Sequence, residues 1–167
     1  MVSPERFRSA MGKFATGVAV ISSREQDGAP HGMTANSLTS VSLEPPLVLV
    51  SIGRQRNTYR NVKTWNRFGV NLLARGQEEI ARYYALAAQE RSGDVHVPWL
   101  GGLERSPRIQ GVIAYLDCRV VAQYDHGDHT LFIAQVEHAA TGPGLPLVYY
   151  DRQLWGLAGI TDAGSDS

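Results

Sequence analysis

The chain carries a single cysteine, Cys118, among 167 residues. That excludes an intramolecular disulfide and makes a cysteine-built zinc site untenable, and it suits a reducing, cytoplasmic setting. Charge of one sign is missing too. Sixteen Lys and Arg stand against sixteen Asp and Glu, so net charge supplies no footprint for nucleic acid or an anionic membrane surface. No window approaches the roughly 18 apolar residues of a membrane span, and "MVSPERFRSAMGKF" has no uninterrupted apolar stretch of the signal-peptide kind. The expectation is therefore no nucleic acid, no membrane and a soluble, cytoplasmic protein.

The common catalytic signatures are absent as well. There is no GxxxxGKS or GxxxxGKT, "GPGLPL" lacks the third glycine of GxGxxG, no GxSxG elbow occurs, and no HExxH occurs. His126 and His129 are three apart, but they fall in a turn with Asp128 as the only neighbouring carboxylate ligand. No metal is expected. Cys118 lies in an apolar strand where nothing would depress its pKa, so it reads as core rather than nucleophile.

What is present fits one domain over residues 1–160, with 161–167 as a disordered tail. Ser3-Pro4 reads as an N-cap followed by proline at the first helical position, and Phe7, Ala10, Met11 and Phe14 recur at helical spacing. "VAVISS" and the turn "REQDGAP" predict a hairpin. "PPLVLVSI" is apolar almost without alternation, as in a strand covered on both faces or lining a barrel, and its prolines mark its entrance. "NTYRNVKTW" predicts a brief helix capped at Asn57, and "QEEIARYYALAA" a second helix. Residues 92–107, with three glycines and two prolines, read as a loop or lid, and two long β-rich runs flank "HGDH". About seven strands with two or three helices that do not alternate with them disfavour a doubly wound sheet. A closed or nearly closed antiparallel barrel, its ends plugged by helices, answers the edge problem best.

One stretch stands out. "HGMTANSLTSVSLEPPLVLVSI" places Thr34, Asn36, Ser37, Thr39, Ser40 and Ser42 directly before the most apolar strand. Composition alone leaves a turn network and a ligand site equally open. Beyond the strand, Ser51, Arg54, Arg56, Asn57 and Thr58 bring guanidinium groups and hydroxyls to a helix start, an arrangement suited to a phosphate. His129 heads a strand after a tight polar turn, where a barrel rim would expose it to a bound ligand.

The segments "FATGVAVIS", "GMTANSLTSVSLEPPLVLVSI", "NTYRN", "FGVNLL" and "GDHTLFIAQVEH" together resemble the flavin reductase family, over roughly residues 5–157. The resemblance implies a mainly β fold with α, an antiparallel FMN-binding split β-barrel of Greek-key type with short flanking helices. It implies an NAD(P)H:flavin oxidoreductase that uses NADH or NADPH to reduce FMN or FAD and supplies reduced flavin to a separate monooxygenase. A homodimer is expected on the same ground. By the family's pattern Thr34, Ala35, Asn36 and Ser37, with Ser40 nearby, meet the flavin ring. Ser51 and Ile52 pass the ribityl chain, Arg54, Asn57 and Thr58 hold the phosphate, and Arg82 is a further phosphate candidate. His129 is the residue expected to position the nicotinamide, with Tyr149, Tyr150, Asp151 and Arg152 completing that pocket. Asn57 stands where many relatives are expected to carry serine, which softens the phosphate assignment. Three alternatives stay open: a flavin- or haem-binding split-barrel module without turnover, a split-barrel oxidase of a small substrate, and a β-barrel interaction protein.

Overall fold

Helix α1 (Pro4–Met11) opens the computed structural model, which describes residues 1–157 with the exception of 94 and 103. The expected tail at 161–167 lies outside the described residues. Ser3 caps α1 as the sequence predicts, its hydroxyl accepting from the Arg6 amide at 3.3 Å. The helix nonetheless buries no residue, and Phe7 and Met11, with Phe14 just beyond, stay exposed.

A short β1 (Thr16–Gly17) leads to β2 (Ala19–Arg24) and β3 (Pro30–Ala35), joined by the Asp27-Gly28 turn with Gly28 at φ 85. Strand β4 (Leu38–Leu43) and β5 (Pro46–Gly53) form the next hairpin. Helix α2 (Asn57–Trp65) then precedes β6 (Arg67–Leu72), and α3 (Glu78–Ala85) follows it. The segment read as a loop carries only β7 (Trp99–Leu100), which pairs with β8 (Arg108–Ile109). The two long runs are β9 (Ala114–His126) and β10 (His129–Thr141), and β11 (Leu147–Tyr150) and β12 (Gln153–Gly156) end the fold.

Seven strands make one antiparallel sheet in the order β3-β2-β6-β9-β10-β5-β4. The β9–β10 hairpin slots between β5 and β6, so the connection through α2 spans it. The two edge strands, β3 and β4, are consecutive in the chain and meet at the Asn36-Ser37 corner, which is where the barrel is split. Ile21, Met33, Val50, Ile52, Phe68, Val70, Cys118 and Phe132 point into a common core, and Val62 of α2 closes one end of it. The outer face of β2, β6 and β9 is covered by a second core in which Ile80, Ala81 and Tyr84 of α3 meet Val20, Leu73, Ile109 and Tyr115.

This arrangement decides between alternatives that the sequence leaves open: β5 lines the barrel. The strand covered on both faces is β2, every residue of which is buried, while β5 alternates between buried Val48, Val50 and Ile52 and half-buried Leu47, Leu49 and Ser51. Among the described residues no helix lies over the outer face of β5, so its continuous apolar run includes a half-buried outer row. The polar half of the conspicuous stretch is not a turn network either. It is two strands and a corner, with period-2 alternation hidden because hydroxyl and apolar residues mix on the exposed side of β4 and a bulge lies between Ser40 and Ser42. Gly32 within β3 has a packing reason, since a Cβ there would lie 2.9 Å from Val20 Cγ1 and 3.0 Å from the Tyr84 ring.

Cys118 is fully buried and burial pushes its thiol up to about 12. A thiol reagent at pH 8 should therefore leave it unmodified in the folded protein, and labelling should follow the urea unfolding curve; rapid labelling without denaturant would contradict this core.

Candidate active site

The Asn36-Ser37 corner is held by two bonds to β5: the Ser37 hydroxyl donates to the Ser51 carbonyl at 2.8 Å, and the Ser51 amide donates to the Ser37 carbonyl at 3.2 Å. From Ser51, β5 runs two residues, about 7 Å, to Gly53. Gly53 is the cross-strand partner of His129. The "HGDH" turn places Gly127 (φ 58) and Asp128 between the paired His126 and His129, as the sequence predicts. His129 Nδ1 lies 2.7 Å from Asp128 Oδ1, and that bond holds the Asp128 carboxyl below its usual range. The Asp128 carbonyl accepts from the Arg54 amide at 3.0 Å, and the Arg54 guanidinium donates to the Gly127 carbonyl. Arg54 thus clamps the histidine turn to the end of β5.

Two clefts flank this line. The larger, about 770 Å³, lies between α1, the end of β3, α3 and the β11–β12 turn. Thr34, Ala35, Asn36, Arg82, Tyr149 and Arg152 line it, all expected site residues, together with Arg8, which the sequence reading did not single out. The smaller, about 470 Å³, lies between the start of α2 and the segment after α3, with Arg56, Asn57 and Thr58 facing His31, Met33 and Arg91. Ala85 lines both clefts, so they adjoin. Both volumes fall in the usual range for small-molecule sites.

Hydrogen bonding sorts the expected residues further. The Thr34 hydroxyl donates to the Ala81 carbonyl at 2.7 Å, tying β3 to α3, and the Ser37 hydroxyl is engaged with Ser51. Asn36 is exposed, and its side chain has no partner among the described residues. Ile52 is fully buried in the barrel core, so only its backbone can face a ligand. Ser40 lies on the exposed edge strand β4 and lines neither cleft. Tyr150 and Asp151 face away from the larger cleft toward Lys13, Asp151 by a 2.7 Å ion pair and Tyr150 with its ring beneath the ammonium at 5.8 Å. Arg82 stands on the larger cleft rather than beside Asn57 and Thr58, as an expected common phosphate site would require.

Helix α2 begins one residue earlier than an Asn57 cap implies. Arg56 is the N-cap and provides no side-chain cap bond, while Asn57, the first helical residue, accepts from the Arg60 guanidinium. The start of α2 therefore presents uncapped backbone amides beside the Arg56 side chain. Thr58 turns inward: its hydroxyl is 3.0 Å from His31 Nε2, and His31 Nδ1 is 2.7 Å from Glu25 Oε1. With neutral imidazole, Nδ1–H donates to Glu25 and Nε2 accepts from Thr58. Burial lowers the His31 pKa, Glu25 opposes that, and Arg91 adds to it. Arg91 itself donates to the Gly32 carbonyl at 2.9 Å and lies 4.8 Å over the Tyr84 ring. Neither His31 nor Arg91 carries a signal in the sequence, because both are recruited by long-range packing.

The geometry defines a class: a split β-barrel with a polar corner on one of two adjoining arginine-bearing clefts, a donor set suited to a flat, hydrogen-bonding ring with a phosphate tail. The chain belongs to the flavin reductase like domain family, whose model matches residues 11–158. It is 40% identical over 151 residues to an NADH-dependent flavin reductase of Rhodococcus sp, covering 89% of this chain and 84% of that protein. It is 35% identical over 144 residues to the reductase component of a 4-nitrophenol 4-monooxygenase/4-nitrocatechol 2-monooxygenase of Rhodococcus opacus, covering 86% and 76% respectively. Among solved structures, the Streptomyces globisporus NADH:FAD oxidoreductase SgcE6 in complex with NAD and FAD fragments superposes with a TM-score of 0.84 at 35% identity, covering 97% of this chain and 99% of that one.

The lowered His31 pKa has a stability consequence. Unfolded histidine titrates near 6.5, so below that pH the unfolded state binds more protons than the folded state, and stability falls until His31 is protonated in both. The urea midpoint should drop between pH 8 and pH 5, and His31→Gln should reduce that drop; an equal drop in the variant would place the acid sensitivity elsewhere.

Proposed function

We propose that the protein is an NAD(P)H-dependent flavin reductase that reduces FMN or FAD and supplies the reduced flavin to a partner monooxygenase. The observation that carries the reading is the Asn36-Ser37 corner, which presents an amide side chain without a partner among the described residues to the larger of two adjoining basic clefts, in a chain of this family. A flavin held there would supply the redox chemistry, as an acceptor of hydride from a nicotinamide donor.

The chain's own residues bind and orient. Asn36 and the backbone of Thr34 to Ser37 take the ring edge, with Ser51 along the ribityl path. Arg56, Asn57 and the uncapped amides of α2 take the phosphate, which leaves Arg54 to fix the turn that carries His129. Thr58 supports this end through His31 rather than by direct contact. His129 positions the nicotinamide from the rim, oriented by Asp128. Each neutral hydrogen bond nets about 1 kcal/mol, so a handful orient a flavin without retaining it irreversibly, as a diffusing product requires.

The same reading extends to assembly and setting. The uncovered outer face of β4 and β5, with Val41 47% and Leu43 86% exposed, together with Phe7 and Phe14, suits a homodimer. No helix among the described residues is long and apolar enough to cross a membrane. The unpaired, buried Cys118 accords with the cytoplasm, and residues 1–160 act as one domain.

Purified protein with added FMN or FAD should oxidise NADH or NADPH well above the uncatalysed rate. Flavin binding without such oxidation would select the non-catalytic module instead, and absence of both would revive the interaction protein. Asn36→Ala should weaken flavin binding about tenfold by fluorescence titration, the loss of one or two hydrogen bonds. His129→Ala should lower kcat/KM for the nicotinamide while flavin affinity changes little; a parallel loss of flavin affinity would show that His129 contacts the flavin.

A further inference from the structure

The smaller cleft contains a relay of side chains that the phosphate assignment uses only as a support. His31 of β3 is buried and lines the cleft with Thr58, Arg56 and Arg91. Its Nδ1 lies 2.7 Å from Glu25 Oε1, in the β2–β3 turn, and its Nε2 lies 3.0 Å from the Thr58 hydroxyl at the start of α2. An ionised carboxylate only accepts, so Nδ1 carries a hydrogen whatever the charge on the ring. The state of Nε2 is then the variable, and it sets the direction of the Thr58 hydroxyl.

With the ring neutral, Nε2 accepts and the Thr58 proton is spent on it. Thr58 then acts on the cleft only by holding α2 to β3. With the ring protonated, Nε2–H donates to Thr58 Oγ1, and the hydroxyl proton must turn away from the ring. Thr58 is 1% exposed yet lines the cleft, so the released proton meets no bulk water and an anion in the cleft can accept it.

Charged groups face His31 from three elements. Burial opposes protonation most, Glu25 favours it, and Arg91, which donates to the neighbouring Gly32 carbonyl at 2.9 Å, opposes it. Arg56 lines the cleft opposite Arg91, and Glu90 is engaged with the Ala87 amide at 3.3 Å. An anion between Arg56 and Arg91 changes this balance, because it offsets the field of both guanidiniums as well as accepting the freed hydroxyl. A unit charge two hydrogen bonds removed, in an effective dielectric of about 20, moves a pKa by about one to two units.

We propose that His31 is a proton switch for the smaller cleft: an anion held between Arg56 and Arg91 binds with uptake of one proton at His31, which turns the Thr58 hydroxyl from the ring to the anion. The inference rests on the reading of the protein as a flavin reductase only for the identity of that anion, the phosphate of a flavin. His31 is a positioning residue, since it acts on the ligand through Thr58. Linkage is reciprocal, so the anion binds more tightly as pH falls through the His31 titration.

The test follows the His31 ring protons by NMR from pH 8 to pH 5, with His31→Gln identifying the signal among five histidines. Saturating inorganic sulfate, which does not titrate in this range, should raise the His31 pKa of the wild type by about one unit or more. FAD is the flavin to use, because the terminal phosphate of FMN itself titrates near pH 6. FAD affinity should rise about tenfold from pH 8 to pH 5, while riboflavin, which has no phosphate, shows no rise. His31→Gln should abolish the rise; Thr58→Ser should keep it and Thr58→Val should remove most of it. Absence of sulfate binding, an unchanged His31 pKa in saturating sulfate, or an equal rise for riboflavin or in His31→Gln overturns the switch. The pKa comparison needs only the wild type, so it decides the matter where a variant fails to fold. Absence of NADH and NADPH oxidation with the sulfate-induced shift present would sink the reductase reading and leave the switch standing.

Discussion

The pair of hydrogen bonds between Ser37 and Ser51 is the constraint on which the rest of the site depends. The seven-stranded sheet has two free edges, β3 and β4, that are adjacent in the chain yet do not pair with each other. An open edge displays unpaired backbone groups, and here the chain turns the corner at Asn36-Ser37 and is pinned to β5 as it does so. Pinning the corner fixes two directions at once. Upstream, Thr34 and Asn36 face the larger cleft under α3; downstream, β5 carries the line through Gly53 to His129. A looser corner would leave the Asn36 amide and His129 on segments with no fixed relation.

Helix α2 works on the opposite side of the same strand. Val62 seals the barrel core, and Thr58 is bound to His31 of β3, so the helix start cannot drift from the sheet. That fixation lets Arg56 and the unsatisfied amides of α2 remain uncapped. A side-chain cap would satisfy them and withdraw those donors from the cleft. Buried polar groups such as His31 and Thr58 would be expensive if unpaired. Here they satisfy each other and Glu25, and their shared geometry fixes the wall of the smaller cleft beside Arg56.

Much of this was legible in the sequence, and the limits have physical causes. The capped α1, the Asp27-Gly28 hairpin and the "HGDH" turn are local, set by residues within a few positions of one another, and all three stand where the pattern put them. The paired blocks around Thr34 and His129 gave the family. Which strand is covered was not legible, because β2 and β5 are both apolar and only tertiary packing decides that α3 lies over the first. Cleft membership was equally hidden: Arg82 and Asn57 are both polar residues near helix ends, and nothing in their spacing says that Ala85 stands between their clefts. His31 and Arg91 were missed because one is a histidine in a strand and the other follows a segment without periodicity.

Net charge, which reads as neutral, conceals the electrostatics that matter. Acidic groups of the barrel pair with their own arginines, exposed Glu137 with Arg67 and Arg119, and buried Asp117 with Arg67. Those carboxylates contribute to a total of zero while cancelling charge far from the clefts. Arg8, Arg56, Arg82, Arg91 and Arg152 line the two clefts, and Glu90 is the only acid among the residues that line them. Lys13 and Lys63 are the only lysines among the sixteen basic residues, and neither lines a cleft. A site that needed only positive potential would be served by either residue, but one that must orient phosphates against a fixed ring gains from a planar, multidentate donor. The preference for arginine at these walls, set against an overall charge of zero, therefore points to oriented phosphate groups rather than to general attraction of anions.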